Sequence, residues 1–319
     1  MGLACMTPAS LTLKLIADAD GIHVSHMGIF TKYPESKFLS EAAAPHVIDV
    51  RQRLEGLFEA IDGYEDAQFG VQLDRDPFSR IWEMMVATIL RNSGLKFGAS
   101  KGGGPDFIAT HEGKRIAVEA TCPGLGQEGL PDSVPPLKPA FEYQLRPDNQ
   151  MLLRIANAIA EKKRVFEQYL QKEFISSTDC CVIAVSSLKF NQARGRWPCL
   201  GISATLGHGL PYAAFDAESG TRLKEGFQFQ PMVQKANESA VDMTPFLDNS
   251  NSIIAGLLYS DASPYSLDFQ LTKETYFIHN PKAKHPIAPG TFKVGQELQA
   301  VIEKDEPITA HWNGDNERK

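Results

Sequence analysis

Gly104-Pro105-Asp106-Phe107-Ile108-Ala109-Thr110-His111-Glu112-Gly113-Lys114-Arg115-Ile116-Ala117-Val118-Glu119-Ala120-Thr121 is the stretch from which the rest of the chain can be read. Residues 106–110 and 114–120 are rich in β-branched and small apolar side chains, and His111-Glu112-Gly113 lies between them, which predicts a β-hairpin. Upstream, Asp76-Pro77 precedes Ile81, Trp82, Met85, Val86, Ile89 and Leu90, an apolar stripe closed by Ser93-Gly94. That spacing predicts a helix with a Pro start and a Gly stop, followed by an extended piece at 95–97. Downstream, a Pro/Gly-rich loop over 122–148 leads to Met151, Leu152, Ile155, Ile159, Val165, Phe166, Tyr169 and Leu170, a helix of about 22 residues by its period. The apolar run 181–185 then predicts another strand. Helix, strand, hairpin, long helix and strand in this order predict an α/β fold built on a mixed sheet.

The flanks carry less pattern. Residues 1–45 read as an N-terminal extension, 46–190 as the core, with a helix over 47–60, and 191–319 as a β-rich C-terminal region packed on the same domain. Short β segments are expected at 212–215, 253–259 and 275–278, a last helix within 290–304, and a frayed end at 314–319. The chain of 319 residues is 43% hydrophobic and 22% charged, which fits a globular protein and neither a disordered nor a fibrous one. Its five cysteines, Cys5, Cys122, Cys180, Cys181 and Cys199, contain no C-x-x-C spacing, which argues against a zinc site or a disulfide framework. No basic leader and no apolar run of membrane-spanning length occur, so a soluble cytoplasmic protein without membrane association is expected.

The chemistry lies in where acids interrupt apolar pattern. Glu83 sits within the apolar helix, Asp106 opens the first strand after Pro105, and Glu119 stands between Val118 and Ala120. A carboxylate in an apolar strand is costly to bury unless it is paired or holds a cation. Two such acids at the same end of an antiparallel hairpin can share one hard divalent cation.

These residues resemble the core of the PD-(D/E)xK nuclease superfamily, the restriction-endonuclease-like fold. The resemblance rests on Gly104-Pro105-Asp106, on Val118-Glu119-Ala120-Thr121 thirteen positions later, and on the acid in the preceding helix; it covers residues 78–187, about a third of the chain. It implies a magnesium (or manganese) ion ligated by Asp106, Glu119 and the Ala120 carbonyl, with Glu83 assisting, and hydrolysis of phosphodiester bonds in DNA, as in restriction or phage defence. Thr121 departs from the pattern, since a Lys belongs there, and a hydroxyl cannot supply its positive charge. Some members of the superfamily carry that Lys on the following helix, and Lys162 fits the relocation: Arg154, Ala158 and Lys162 lie at i, i+4 and i+8 and share a face. Lys163, about 100° further round the helix, is the next choice. The expected catalytic set is therefore Glu83, Asp106, Glu119 and Lys162, with Arg154, Lys163 and Lys101 contacting nucleic acid and a homodimer left open.

Each residue also has a plainer reading: Glu83 as a helix acid paired with a nearby base, Asp106 as a turn residue, Lys162-Lys163-Arg164 as a solvated helix face. The competing functions are a catalytically inactive nuclease-fold module that binds nucleic acid or a partner protein, and a small-molecule or sugar-modifying enzyme built on the C-terminal half. For the last no catalytic set is visible. Gly102-Gly103-Gly104 lacks the ending of a P-loop, Ser186-Ser187-Leu188-Lys189 follows a strand rather than opening a helix, His23 and His26 have no companion ligands, and His279-Asn280-Pro281 reads as a turn. The net charge of -7 argues against loose coating of nucleic acid, yet residues 80–164 hold twelve Lys or Arg against nine Asp or Glu. A local basic cleft is compatible with that distribution.

Overall fold

The computed structural model of the chain describes residues 27–42, 48–99, 102–137, 142, 144–190, 192–301 and 309–313. Cys5, His23, His26, Lys101 and the 314–319 end lie outside them.

Two short helices, α1 (Ile29–Lys32) and α2 (Lys37–Ala42), precede α3 (Ile48–Phe58) and α4 (Phe69–Arg75). Helix α5 (Pro77–Asn92) follows at once because Asp76 ends α4 and caps α5: its carboxylate accepts from the Ser79 N–H and Oγ, and Pro77 occupies the first turn. Gly94 closes α5 with φ 73°, the left-handed conformation that a helix stop favours. Eight apolar side chains of α5 are buried, including Trp82, whose indole N–H donates to the Ala184 carbonyl at 3.0 Å. At about 1.5–3 kcal/mol for each large side chain, this face outweighs any local helix propensity.

The predicted hairpin is present as β2 (Phe107–His111) and β3 (Lys114–Thr121), with β1 (Lys96–Ala99) antiparallel to β2. The connection is tighter than expected: Glu112 (φ 48°) and Gly113 (φ 78°) form a two-residue turn with positive φ at both positions, the twist a hairpin prefers. Asp106 falls one residue before β2 rather than inside it. The long helix α6 (Asp148–Gln171) crosses over to β4 (Cys180–Ser186), which lies parallel to β3. Every residue of β4 is buried, Cys180 and Cys181 among them, which explains its unbroken apolar run.

Beyond β4, α7 (Leu200–Leu206) leads to a two-stranded ribbon, β5 (His208–Phe215) with β6 (Arg222–Phe229), and to a second small pair, β7 (Met232–Gln234) with β8 (Ala240–Asp242). The chain then returns to the main sheet as β9 (Ile254–Ser260), β10 (Thr275–His279), β11 (Gln296–Val301) and β12 (Thr309–Asn313). The eight-stranded order β1-β2-β3-β4-β9-β10-β11-β12 mixes parallel and antiparallel neighbours, so the protein is α/β with a mixed sheet. Alternation along β3 and β4 sorts the core into two layers: Ile116, Val118, Val182 and Ala184 pack with α3–α5, while Ala117, Cys181, Ile183 and Val185 pack with α6 and α7.

The helix expected within 290–304 is instead strand β11. Its Gln-Glu-Leu-Gln-Ala composition favours a helix locally, but the segment lies parallel to β10, with Leu298 buried in the core, and tertiary pairing overrides propensity.

Candidate active site

The parity of β3 decides where Glu119 points. It shares its face with Ala117, which packs in the α6 layer, and its side chain is only 6% exposed. Helix α6 meets it with two residues. Lys162 Nζ donates to Glu119 Oε1 at 2.8 Å, and the Tyr169 hydroxyl donates to Oε2 at 3.3 Å. Phe166 and Phe174 hold the Tyr169 ring edge-on, with centroids 6.1 and 6.0 Å away.

Asp106 is fixed by the hairpin itself. Because it stands just before β2, its Oδ2 accepts the Ala120 backbone N–H at 2.7 Å, tying the start of β2 to the end of β3. Glu83 approaches from α5, where Arg80 Nη1 donates to its Oε2 at 2.6 Å while also lying 3.4 Å from Asp66.

The electrostatics link these groups. Burial raises the Glu83 carboxyl to about 8, and the neighbouring Asp106 charge pushes in the same direction against Arg80. Burial also raises Asp106, against the Ala120 N–H, Lys162 and Arg80. Glu119 is raised by burial and then by Asp106, with Lys162 opposing. Burial and the Glu119 charge raise the Tyr169 phenol, which therefore stays a hydrogen-bond donor. Three carboxyl groups thus crowd one region at the C-terminal end of β3 with two cations, Arg80 and Lys162, for company. The set is short of positive charge, and like charges so placed cannot all ionise freely.

The four residues singled out in the sequence, Glu83, Asp106, Glu119 and Lys162, are thus brought together from α5, the start of β2, β3 and α6. Hard carboxylate oxygens with unneutralised charge suit a divalent cation in donor chemistry. Among the described residues, however, no three His, Cys, Asp or Glu side chains converge in the geometry of a metal cage. Glu119 has both oxygens engaged, by Lys162 and Tyr169, and would have to share one of them with an ion.

The basic residues proposed for nucleic-acid contact divide. Arg154 Nε donates to the Gly124 carbonyl at 2.8 Å and so braces the loop after β3. Lys163 lies 3.5 Å from Glu167 on its own helix, with its side chain 23% exposed. Lys101 lies outside the described residues. Two participants were not singled out in the sequence. Tyr169 falls two turns after Lys162 on the same helical face, and Arg80 falls one turn before Glu83; both spacings are legible once Glu119 and Glu83 are known to face those helices.

A cleft of about 400 Å³ lies at the other end of the sheet, lined by Lys114, His279 and Gln299 among prolines and alanines. Its main polar pair is satisfied internally: His279 Nε2 lies 2.7 Å from Glu297, whose carboxylate also accepts the Gly290 N–H. No helix of the described residues is long and apolar enough to cross a membrane. No protein-family model, no curated protein and no solved structure matches the chain.

Proposed function

We propose that the chain is a divalent-metal-dependent nuclease with a restriction-endonuclease-like core, hydrolysing phosphodiester bonds in DNA. The observation that carries this reading is the meeting of Glu83, Asp106 and Glu119 with the Lys162 ammonium, 2.8 Å from Glu119, at one end of a hairpin in a mixed sheet. Asp106 and Glu119, with Glu83 in support, would hold a magnesium or manganese ion, whose chemistry is to polarise a phosphoryl oxygen and to lower the pKa of a bound water. Lys162 stands in for the Lys that Thr121 does not provide: its ammonium orients a water beside Glu119 and offsets charge developing on the phosphoryl group. Tyr169 holds the second oxygen of Glu119 and so fixes the carboxylate plane. Asp106, anchored to the Ala120 N–H, keeps its position relative to Glu119 through the backbone of the hairpin.

One observation favours a second reading, a catalytically inactive module that binds nucleic acid or protein: the Glu119 carboxylate is fully engaged by groups of the chain itself. The experiment that separates the two is cleavage of supercoiled plasmid and of labelled single- and double-stranded oligonucleotides in magnesium, manganese and EDTA. The nuclease reading expects cleavage with either metal, none in EDTA, and losses of about 10²–10³-fold for Asp106→Ala and Glu119→Ala. A folded wild-type protein that cleaves nothing and takes up no manganese in calorimetry would overturn it, and nucleic-acid binding unaffected by both substitutions would favour the inactive module.

A further inference from the structure

The β5–β6 ribbon is the part of the molecule whose sequence and surroundings disagree. Among the described residues its two eight-residue strands pair only with each other, and twelve of their sixteen residues are exposed. An isolated two-stranded ribbon is marginal in water unless one face is packed. Among the described residues, this one is tied to the body near its base. The Gln230 N–H donates to the Gly207 carbonyl, closing the ribbon where it leaves α7, and the Phe227 ring meets Trp197 with centroids 6.5 Å apart. Yet the ribbon carries Leu210, Phe215, Leu223, Phe227 and Phe229, which are 38–66% exposed. Apolar side chains clustered on a projecting element mark an interaction surface.

We propose that this ribbon is an arm through which two copies of the chain associate. Three features select a second copy as the occupant. The first is charge: residues 208–229 hold Arg222 and Lys224 against Asp216, Glu218 and Glu225, and Arg222 is already ion-paired with Glu225. That near-neutral balance offers no positive stripe to a phosphate backbone and no single-sign field to a strongly charged protein.

The second is area. The five side chains expose roughly 600 Å² of apolar surface per arm, so two arms offer about 1,200 Å², the lower limit of a specific interface. The third is the open edge. The outer edge of β5 contains Pro211, which has no N–H to give, whereas β6 from Arg222 to Phe229 has no proline. Antiparallel pairing of two β6 edges centred on Gly226 sets Glu225 opposite Phe227, Lys224 opposite Gln228 and Leu223 opposite Phe229, with no like charges facing, and it is self-complementary as a two-fold contact must be. The acid cluster at Glu119 takes no part in this contact, so the inference stands apart from the nuclease reading.

The test is sedimentation velocity on the full chain across the micromolar range. The expected result is a monomer–dimer equilibrium, with Leu223→Asp and Phe229→Asp each weakening the dimer at least tenfold while leaving unchanged the thermal midpoint measured at concentrations where the wild type is monomeric. A protein that stays monomeric throughout, or a dimer equally strong in both variants, overturns the proposal. Hydrogen exchange on the wild type serves if a variant does not fold. Protection of the 222–229 amides should then rise with protein concentration, and exchange independent of concentration refutes the arm.

Discussion

Replacing Lys162 by Met keeps most of the side-chain volume and removes the one ammonium bonded to Glu119. In the folded protein Lys162 is 20% exposed and Glu119 6% exposed, and the pair is 2.8 Å apart. Breaking a buried pair by removing one partner costs about 3–5 kcal/mol, and the partial exposure of Lys162 brings the expected loss to about 2–3 kcal/mol near pH 8. The sign with pH follows from Glu119. Its folded-state pKa is already raised by burial and by Asp106, and Lys162 is the main group pulling it down. Without Lys162 the folded state holds this proton to still higher pH, while the unfolded chain releases it near the ordinary value of about 4.3. The folded state therefore binds more protons between those two values, and stability falls as pH rises through that window. The deficit of Lys162→Met should be smallest at acid pH, where Glu119 is protonated in both folded proteins, and should grow as pH rises through the raised titration of Glu119.

Thermal or urea unfolding of wild type and variant at pH 5 and pH 8 measures this, with Glu119→Gln and the double variant completing a cycle. The double variant should lose less than Lys162→Met alone, because no uncompensated carboxylate is left. A deficit of equal size at pH 5 and pH 8, or a double variant that loses the sum of the singles, would refute the placement of Lys162 against a buried Glu119. A divalent cation adds a second readout: bound to the three acids, it should raise the unfolding midpoint of the variant, with the effect lost on Asp106→Ala.

Two further outcomes test the scaffold. Asp261 is raised to about 6 by burial, with Glu274 adding to the effect, so the folded protein pays for its ionisation at neutral pH. Stability should therefore fall as pH climbs from about 4 to 6, and Asp261→Asn should flatten that slope and stabilise the protein at pH 7 by about 1–3 kcal/mol in urea titrations; a variant with an unchanged slope would show that Asp261 is not the responsible group. Asp76 both caps α5 through Ser79 and bonds Lys189 at 2.8 Å. Asp76→Ala should cost about 1–2 kcal/mol in chemical unfolding and Asp76→Asn, which keeps a capping oxygen, less than half of that, whereas equal losses would place the effect in the ion pair rather than the cap.

The sequence by itself determined the elements with strong local signals. Helix α5 is legible because Asp76-Pro77, an apolar stripe and Ser93-Gly94 all point the same way. The β2–β3 hairpin is legible because its turn needs positive φ and Gly113 supplies it. The residues of the acid site were legible because carboxylates in apolar strands and helices carry an energetic cost that demands a reason. Local pattern could not determine which face of β3 Glu119 occupies, since period-two alternation names two faces without saying which helix covers each. The tertiary structure decided that it turns toward α6, and with that decision Lys162 and Tyr169 became its partners.

Tertiary structure likewise decided that Gln296–Val301 is a strand. Its residues favour a helix in isolation, and only pairing with β10 and the burial of Leu298 outweigh that preference. The exposed apolar arm of β5 and β6 belongs to the same class. Local pattern did not mark its side chains as exposed, and only the fold shows that, among the described residues, β5 and β6 pair with each other alone and leave them open to solvent.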